Sequence, residues 1–171
     1  MIRENGRLAG ATLAGLMLLA PAWADDRQTQ PIPIAVAGFD YVDRSGEVLD
    51  QQAEHQARLQ AFARMIRADL ADSGKFRVVE FICPKDSCSA GEGNADQLID
   101  SARRAGARFL LYGGIQKMST LIQYAKAQIV NVEANQLVFD RLVSFRGDSD
   151  DAWQHAERFL VRDLLSQDFS Q

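Results

Sequence analysis

The opening apolar run, Ile34 to Phe39 (IAVAGF), is short and bounded by Pro33 and Asp40, which predicts a buried strand. The polar stretch Asp40–Glu47 follows, with Gly46 placed for a turn. From Gln51 to Ser73 the apolar residues Leu59, Phe62, Ala63, Ile66 and Leu70 recur at spacings of three and four, a single helical face, and Gly74 supplies the stop. Lys75–Glu80 alternates like a second strand. A shorter helix, from Asn94 or Ala95 to about Ala105, turns Leu98, Ile99 and Ala102 inward and closes at Gly106.

The second half changes character. Phe109–Ile115, Leu121–Val132 and Leu137–Phe145 are β-rich runs joined by short polar links, the pattern of antiparallel neighbours. In the last run Leu137, Phe139, Val143 and Phe145 are expected on one face, interrupted by Arg141. Asp148–Asp151 then leads into a helix with Trp153, Ala156, Phe159, Leu160 and Leu164 on its buried side, and the Asp and Ser residues at its start are expected to cap it. The order β-α-β-α-β-β-β-α predicts an α/β (α+β) domain, a mixed sheet with helices packed on it.

Arg3 and Arg7 precede an apolar run of about thirteen residues (Leu8–Ala20), then Ala22-Trp23-Ala24, which reads as a secretory signal peptide cleaved after Ala24. The run falls short of the roughly 20 residues a bilayer requires, so no transmembrane span is expected after cleavage. The expected organisation is a signal peptide over 1–24, a leader over 25–32 and one globular domain over 33–168. Without residues 1–24 the formal charge moves from −4 to −5, because two Arg and one Glu leave with them. That acidity argues against nucleic acid as a partner. Export also gives Cys83 and Cys88 a reading: five positions apart in a polar loop, they are expected to form a disulfide in an oxidising compartment.

Strand and turn patterns also carry a resemblance. IAVAGFDYVDRSGE, the Ser-Gly turn before FRVVE, the helix end Ala-Arg-Arg-Ala-Gly-Ala-Arg running into FLLYGGIQK, and a two-strand ribbon with a polar turn resemble the TolB amino-terminal domain and the related LpoB and CsgG-type envelope modules. With FRGDSDDAW and FLVRDLL the chain is more similar still to an uncharacterised family of exported proteobacterial proteins, known only as a domain of unknown function. The resemblance covers roughly residues 33 to 165. It implies a TolB amino-terminal-like fold and a periplasmic interaction or accessory module. No acylated Cys follows the signal, unlike in lipoprotein relatives.

Candidates for chemistry are few. His55 lies on the apolar face of its helix and His155 points away from its own, so neither reads as a shared general base. No Gly-x-Ser-x-Gly elbow is present, and Gly113-Gly114 forms neither a dinucleotide nor a phosphate loop, so no nucleotide, cofactor or metal is expected. What remains is a surface: Tyr41, Asp43, Arg44 and Glu47 after the first strand, and Arg146 with Asp148 after the last. The expected function is a non-enzymatic binding or accessory module in the periplasm that docks on an envelope or secreted protein. Two alternatives stand beside it: a ligand-sensing domain serving a membrane receptor, and a small hydrolase whose carboxylates, Asp43 and Asp148, converge.

Overall fold

In a computed structural model, residues 30–83, 88–91 and 95–169 are described; the expected signal peptide, its cleavage site and most of the leader lie outside them. The element order matches the expectation: β1 (Ile32–Asp43), α1 (Gln52–Asp72), β2 (Phe76–Val78), α2 (Ala95–Arg104), β3 (Phe109–Lys117), β4 (Ile122–Asn131), β5 (Gln136–Arg146) and α3 (Asp150–Leu165). The strands form one mixed sheet in the order β2-β1-β3-β4-β5. β1 runs parallel to β2 and β3, and β3, β4 and β5 follow as an antiparallel meander.

This topology dictates where the helices go. The step from β1 to β2 and the return past β1 to β3 run in opposite directions along the sheet, so right-handed crossovers place α1 and α2 on opposite faces. Accordingly Leu59, Phe62, Ile66 and Leu70 of α1 share a core with Trp153, Leu160 and Leu164 of α3. On the other face, Leu98, Ile99 and Ala102 of α2 pack with Ala35, Ala37, Leu110 and Val130 in a smaller core. β4 turns Ala125, Ala127 and Ile129 toward the larger core. Gly113 of β3 is required by close approach. A Cβ there would collide with the Lys126 carbonyl oxygen and come within 2.8 Å of the Phe39 ring.

Three local expectations are corrected. β1 runs on to Asp43, so Tyr41 and Asp43 belong to the strand and not to the loop beyond it. In the pairing of β5 with β4 the register shifts between Ile129 and Val130 of β4, leaving Val138 of β5 without a partner. The extra residue turns Leu137, opposite Val130, away from the face that carries Phe139, and Leu137 is exposed. On α3 the buried stripe is Trp153, Ala156, Glu157, Leu160, Val161 and Leu164, and Phe159 falls off it into solvent.

The loop after β2 is stitched back to β1. Cys83 and Cys88 form a disulfide, as expected. Gly38 donates its N–H to the Cys88 carbonyl at 2.6 Å, and Gly38 bridges Ser89 in parallel register. The bridge occurs where β1 loses its pairing to β2 and its register with β3 shifts between Val36 and Phe39.

Candidate functional site

Alternation along β3 turns Phe109, Leu111, Gly113 and Ile115 toward the α1/α3 face, and the next residue of that parity is Lys117. Its side chain is 1% exposed. A buried ammonium must find acceptors, and Lys117 has them: Glu47 from the β1–α1 loop, Gln51 Oε1 at 2.8 Å and Asp148 Oδ2 at 2.7 Å. Burial alone would lower its pKa, but the hydrogen bonds and charges of Asp148 and Glu47 raise it above the ordinary lysine value.

Asp148 is the second hub. Its Oδ2 lies 2.7 Å from His55 Nε2, and its Oδ1 accepts from Arg58 Nη1 at 3.0 Å. Arg58 Nε reaches on to Asp150 Oδ1 at 2.9 Å. Burial pushes the Asp148 carboxyl up, yet the hydrogen bonds from Lys117 and His55, with their charges, outweigh it and hold it at about 2. The expectation that Asp148 helps to cap α3 is therefore corrected. Ser149 is the cap, accepting from Ala152 N, while Asp148 turns back to bind three cationic or imidazole groups.

Aromatic rings complete the wall. Tyr41 stacks on His55 with ring centroids 4.4 Å apart, and His55 in turn stacks on Trp153 at 6.4 Å. Burial, then the negative charges of Asp148 and Asp43, raise the Tyr41 phenol well above its usual range. Asp43 accepts hydrogen bonds from Ser45 N at 2.7 Å and Ser45 Oγ at 2.6 Å. These bonds and the nearby Lys117 charge outweigh burial and hold its carboxyl below the ordinary value.

Beside this cluster, at the carboxyl end of β1, lies a half-open cleft of about 720 Å³. Asp40, Tyr41, Asp43, Glu47 and His55 line it, with Cys88 and Ser89 on the disulfide side. Crevices outside the carboxyl ends of parallel strands are where open α/β sheets bind ligands. Its rim carries Val48, fully exposed at 103%, and Leu49 at 72%.

Of the residues picked from the sequence, Tyr41, Asp43, Glu47 and Asp148 come together around Lys117 and His55. Arg44 and Arg146 stay exposed at the periphery. Lys117, Gln51 and Arg58 were missed. Lys117 carried a readable signal, since it continues the inward parity of an apolar strand. The cluster holds no activated nucleophile. Lys117 is shared among three acceptors and Asp148 among three donors, which is the arrangement of a clasp joining β3, α1, the β1–α1 loop and the start of α3. Nothing in it indicates catalysis. No helix among the described residues is long and apolar enough to cross a membrane.

The DUF3280 family model, described as a protein of unknown function (DUF2380), matches residues 33–165. That span coincides with the resemblance read from strand and turn patterns. No curated protein matches the chain. Among solved structures, the chain is similar to the LpoB C-terminal domain from Salmonella enterica, with 20% identity and a TM-score of 0.46, covering 70% of this chain and 85% of that one. It is also similar to TolB from Acinetobacter baumannii, with 15% identity and a TM-score of 0.48, over 80% of this chain and 28% of that one. Lipoprotein GNA1162 from Neisseria meningitidis matches with 15% identity and a TM-score of 0.47, over 82% of this chain and all of that one.

Proposed function

The chain belongs to the DUF3280 family of unknown function, and we propose that it is a non-enzymatic binding module, released into the periplasm by cleavage after Ala24, that docks on an envelope or secreted protein. One observation carries this reading. Lys117 neutralises Glu47 and Asp148 behind the cleft, while the loop at its rim presents Arg44, Val48 and Leu49 to solvent. A fixed frame with an exposed apolar pair is suited to anchoring a partner, because binding energy concentrates in a few such side chains. The docking surface comprises this rim, with Tyr41, Asp43 and Glu47 behind it. Arg146 and Asp148 flank it from the last strand end. The disulfide supports an oxidising compartment.

Affinity capture from periplasmic extract with the mature chain tests the reading. A partner retained by the wild type and by Arg77→Ala, on the short β2 strand, should be lost with the pair Val48→Asp and Leu49→Asp. If the rim variants hold every partner at wild-type yield while folded, the docking surface is wrong. The cleft volume favours a second reading, a small ligand sensed by the domain. Its half-open, polar lining distinguishes it from the closed apolar pocket such ligands usually fill. For the hydrolase alternative, Asp43 and Asp148 both approach Lys117 and His55, but Asp148 is bound by three partners and is poorly placed to act as a base.

A further inference from the structure

We propose that β5 is a homodimerisation edge, pairing antiparallel with β5 of a second copy of this chain about a two-fold axis at Val143. This surface lies outside the cleft lining and shares with the proposed docking surface its flanking residue Arg146 alone. The two edges of the sheet differ: β2 is three residues long, while β5 is eleven and pairs with β4 alone among the described strands. A long free edge presents a row of unmatched N–H and C=O groups to any strand that can align with it.

The hydrogen-bond pattern says which groups are free. Gly147 N donates to Leu121 O next to the paired residues Arg146 and Ile122. In an antiparallel ladder this makes 147, 145, 143 and 141 the positions bonded to β4. Asp140, Leu142, Ser144 and Arg146 therefore point their backbone groups outward. The bulge at Val138 lies beyond this stretch and leaves it regular.

Self-complementarity selects the partner and the register. With Val143 opposite its own copy, Asp140 faces Arg146 of the second chain and Leu142 faces Ser144, each pair twice. The four outward residues then give about eight inter-strand hydrogen bonds. Asp140 and Arg146 are exposed charges of opposite sign on the sheet face away from α3; Asp140 already meets Lys126 Nζ at 3.5 Å and Gln128 Nε2 at 3.2 Å within its own chain, and the seam adds an Arg146 beside it at each end. Apolar surface borders the seam. Leu142 is 60% exposed and meets its own copy diagonally across the axis. On the opposite face, the ion pair between Arg141 and Asp163 fixes which side of α3 overlies β5. Phe159, one turn earlier on that side, is exposed beside the edge.

Sedimentation of the mature chain from about 1 to 500 μM tests the proposal, with circular dichroism confirming the fold of each variant. A reversible monomer–dimer equilibrium is expected. Asp140→Arg and Arg146→Asp should each weaken it at least about tenfold by opposing like charges, and the double exchange should restore it to within about threefold. Val143→Cys should give a disulfide-linked dimer under oxidising conditions, and Gln136→Cys, outside the paired stretch, should not. A wild-type chain that stays monomeric throughout, even one that captures another protein along β5, overturns the proposal. So does a double exchange that fails to restore the dimer.

Discussion

Lys117 Nζ, at the end of β3, lies 2.7 Å from Asp148 Oδ2, just ahead of α3, with the two side chains 1% and 10% exposed. Breaking such a pair from one side strands the other charge, which costs more than the pair itself contributes. Lys117→Met should destabilise the fold by about 3 kcal/mol in urea unfolding. Combined with Asp148→Asn the loss should be clearly less than additive, because the orphaned carboxylate is then gone.

Asp148 makes a pH prediction with a definite sign. Its folded pKa, about 2, is depressed below the ordinary value of 3.8. The associated stability is present above pH 4 and is lost as pH falls through 2. Wild type should exceed Asp148→Asn by an increment, of order 2 kcal/mol, that shrinks between pH 4 and pH 2. An increment unchanged across that interval contradicts the assignment.

Glu157 has the opposite sign. Burial, reinforced by the charge of Asp69 and partly opposed by Arg158, raises its carboxyl to about 7. Folding then favours the protonated form, so stability falls as pH rises from 4.5 through 7. Glu157→Gln should melt above wild type at pH 8, by about 1 kcal/mol, and should lose that advantage at pH 5.

At Gly113 steric closeness decides. Gly113→Ala should cost about 3 kcal/mol because the new methyl meets the Lys126 carbonyl and the Phe39 ring. Gly114→Ala should cost less, since its Cβ would approach nothing nearer than the Asp40 carbonyl oxygen at 3.2 Å. Comparative thermal melts order the two.

Replacing both Cys83 and Cys88 with Ala should lower stability by about 2 kcal/mol. It should also loosen the Gly38 bridge, because the disulfide restrains the segment whose Cys88 carbonyl Gly38 binds. Faster amide exchange at Gly38, with α3 unchanged, is the expected signature.

Periodicity carried the helices because each has one dry face, which Leu59, Phe62, Ile66 and Leu70 mark without ambiguity in α1, while β1, buried on both faces, was marked by a continuous apolar run. It failed where two patterns compete. Phe159 is as apolar as Leu160, but only geometry decides which of the neighbours falls on the stripe. Leu137 was misplaced because a bulge at Val138 reverses facing without altering composition. The clasp was half legible: His55 sat visibly on an apolar face, and Lys117 prolonged the inward alternation of β3. Asp148 was hidden by its surroundings, where Asp148, Ser149, Asp150 and Asp151 together look like a helix cap. Its partners are distant in the chain, and spacing carries no information about them.

The clasp draws on the chain at Glu47, His55, Lys117 and Asp148, so its parts become available in the order in which the chain is made. A polypeptide ending before residue 148 holds Lys117 in an apolar strand without its deepest acceptor, and it has no α3 to cover Phe62 and Ile66. Such a fragment lacks the Asp148 hub of the clasp and the α3 side of the larger core. The arrangement ties the clasp beside the cleft to the arrival of the last helix, so the docking proposed for this surface would belong to the finished chain and to no amino-terminal portion of it.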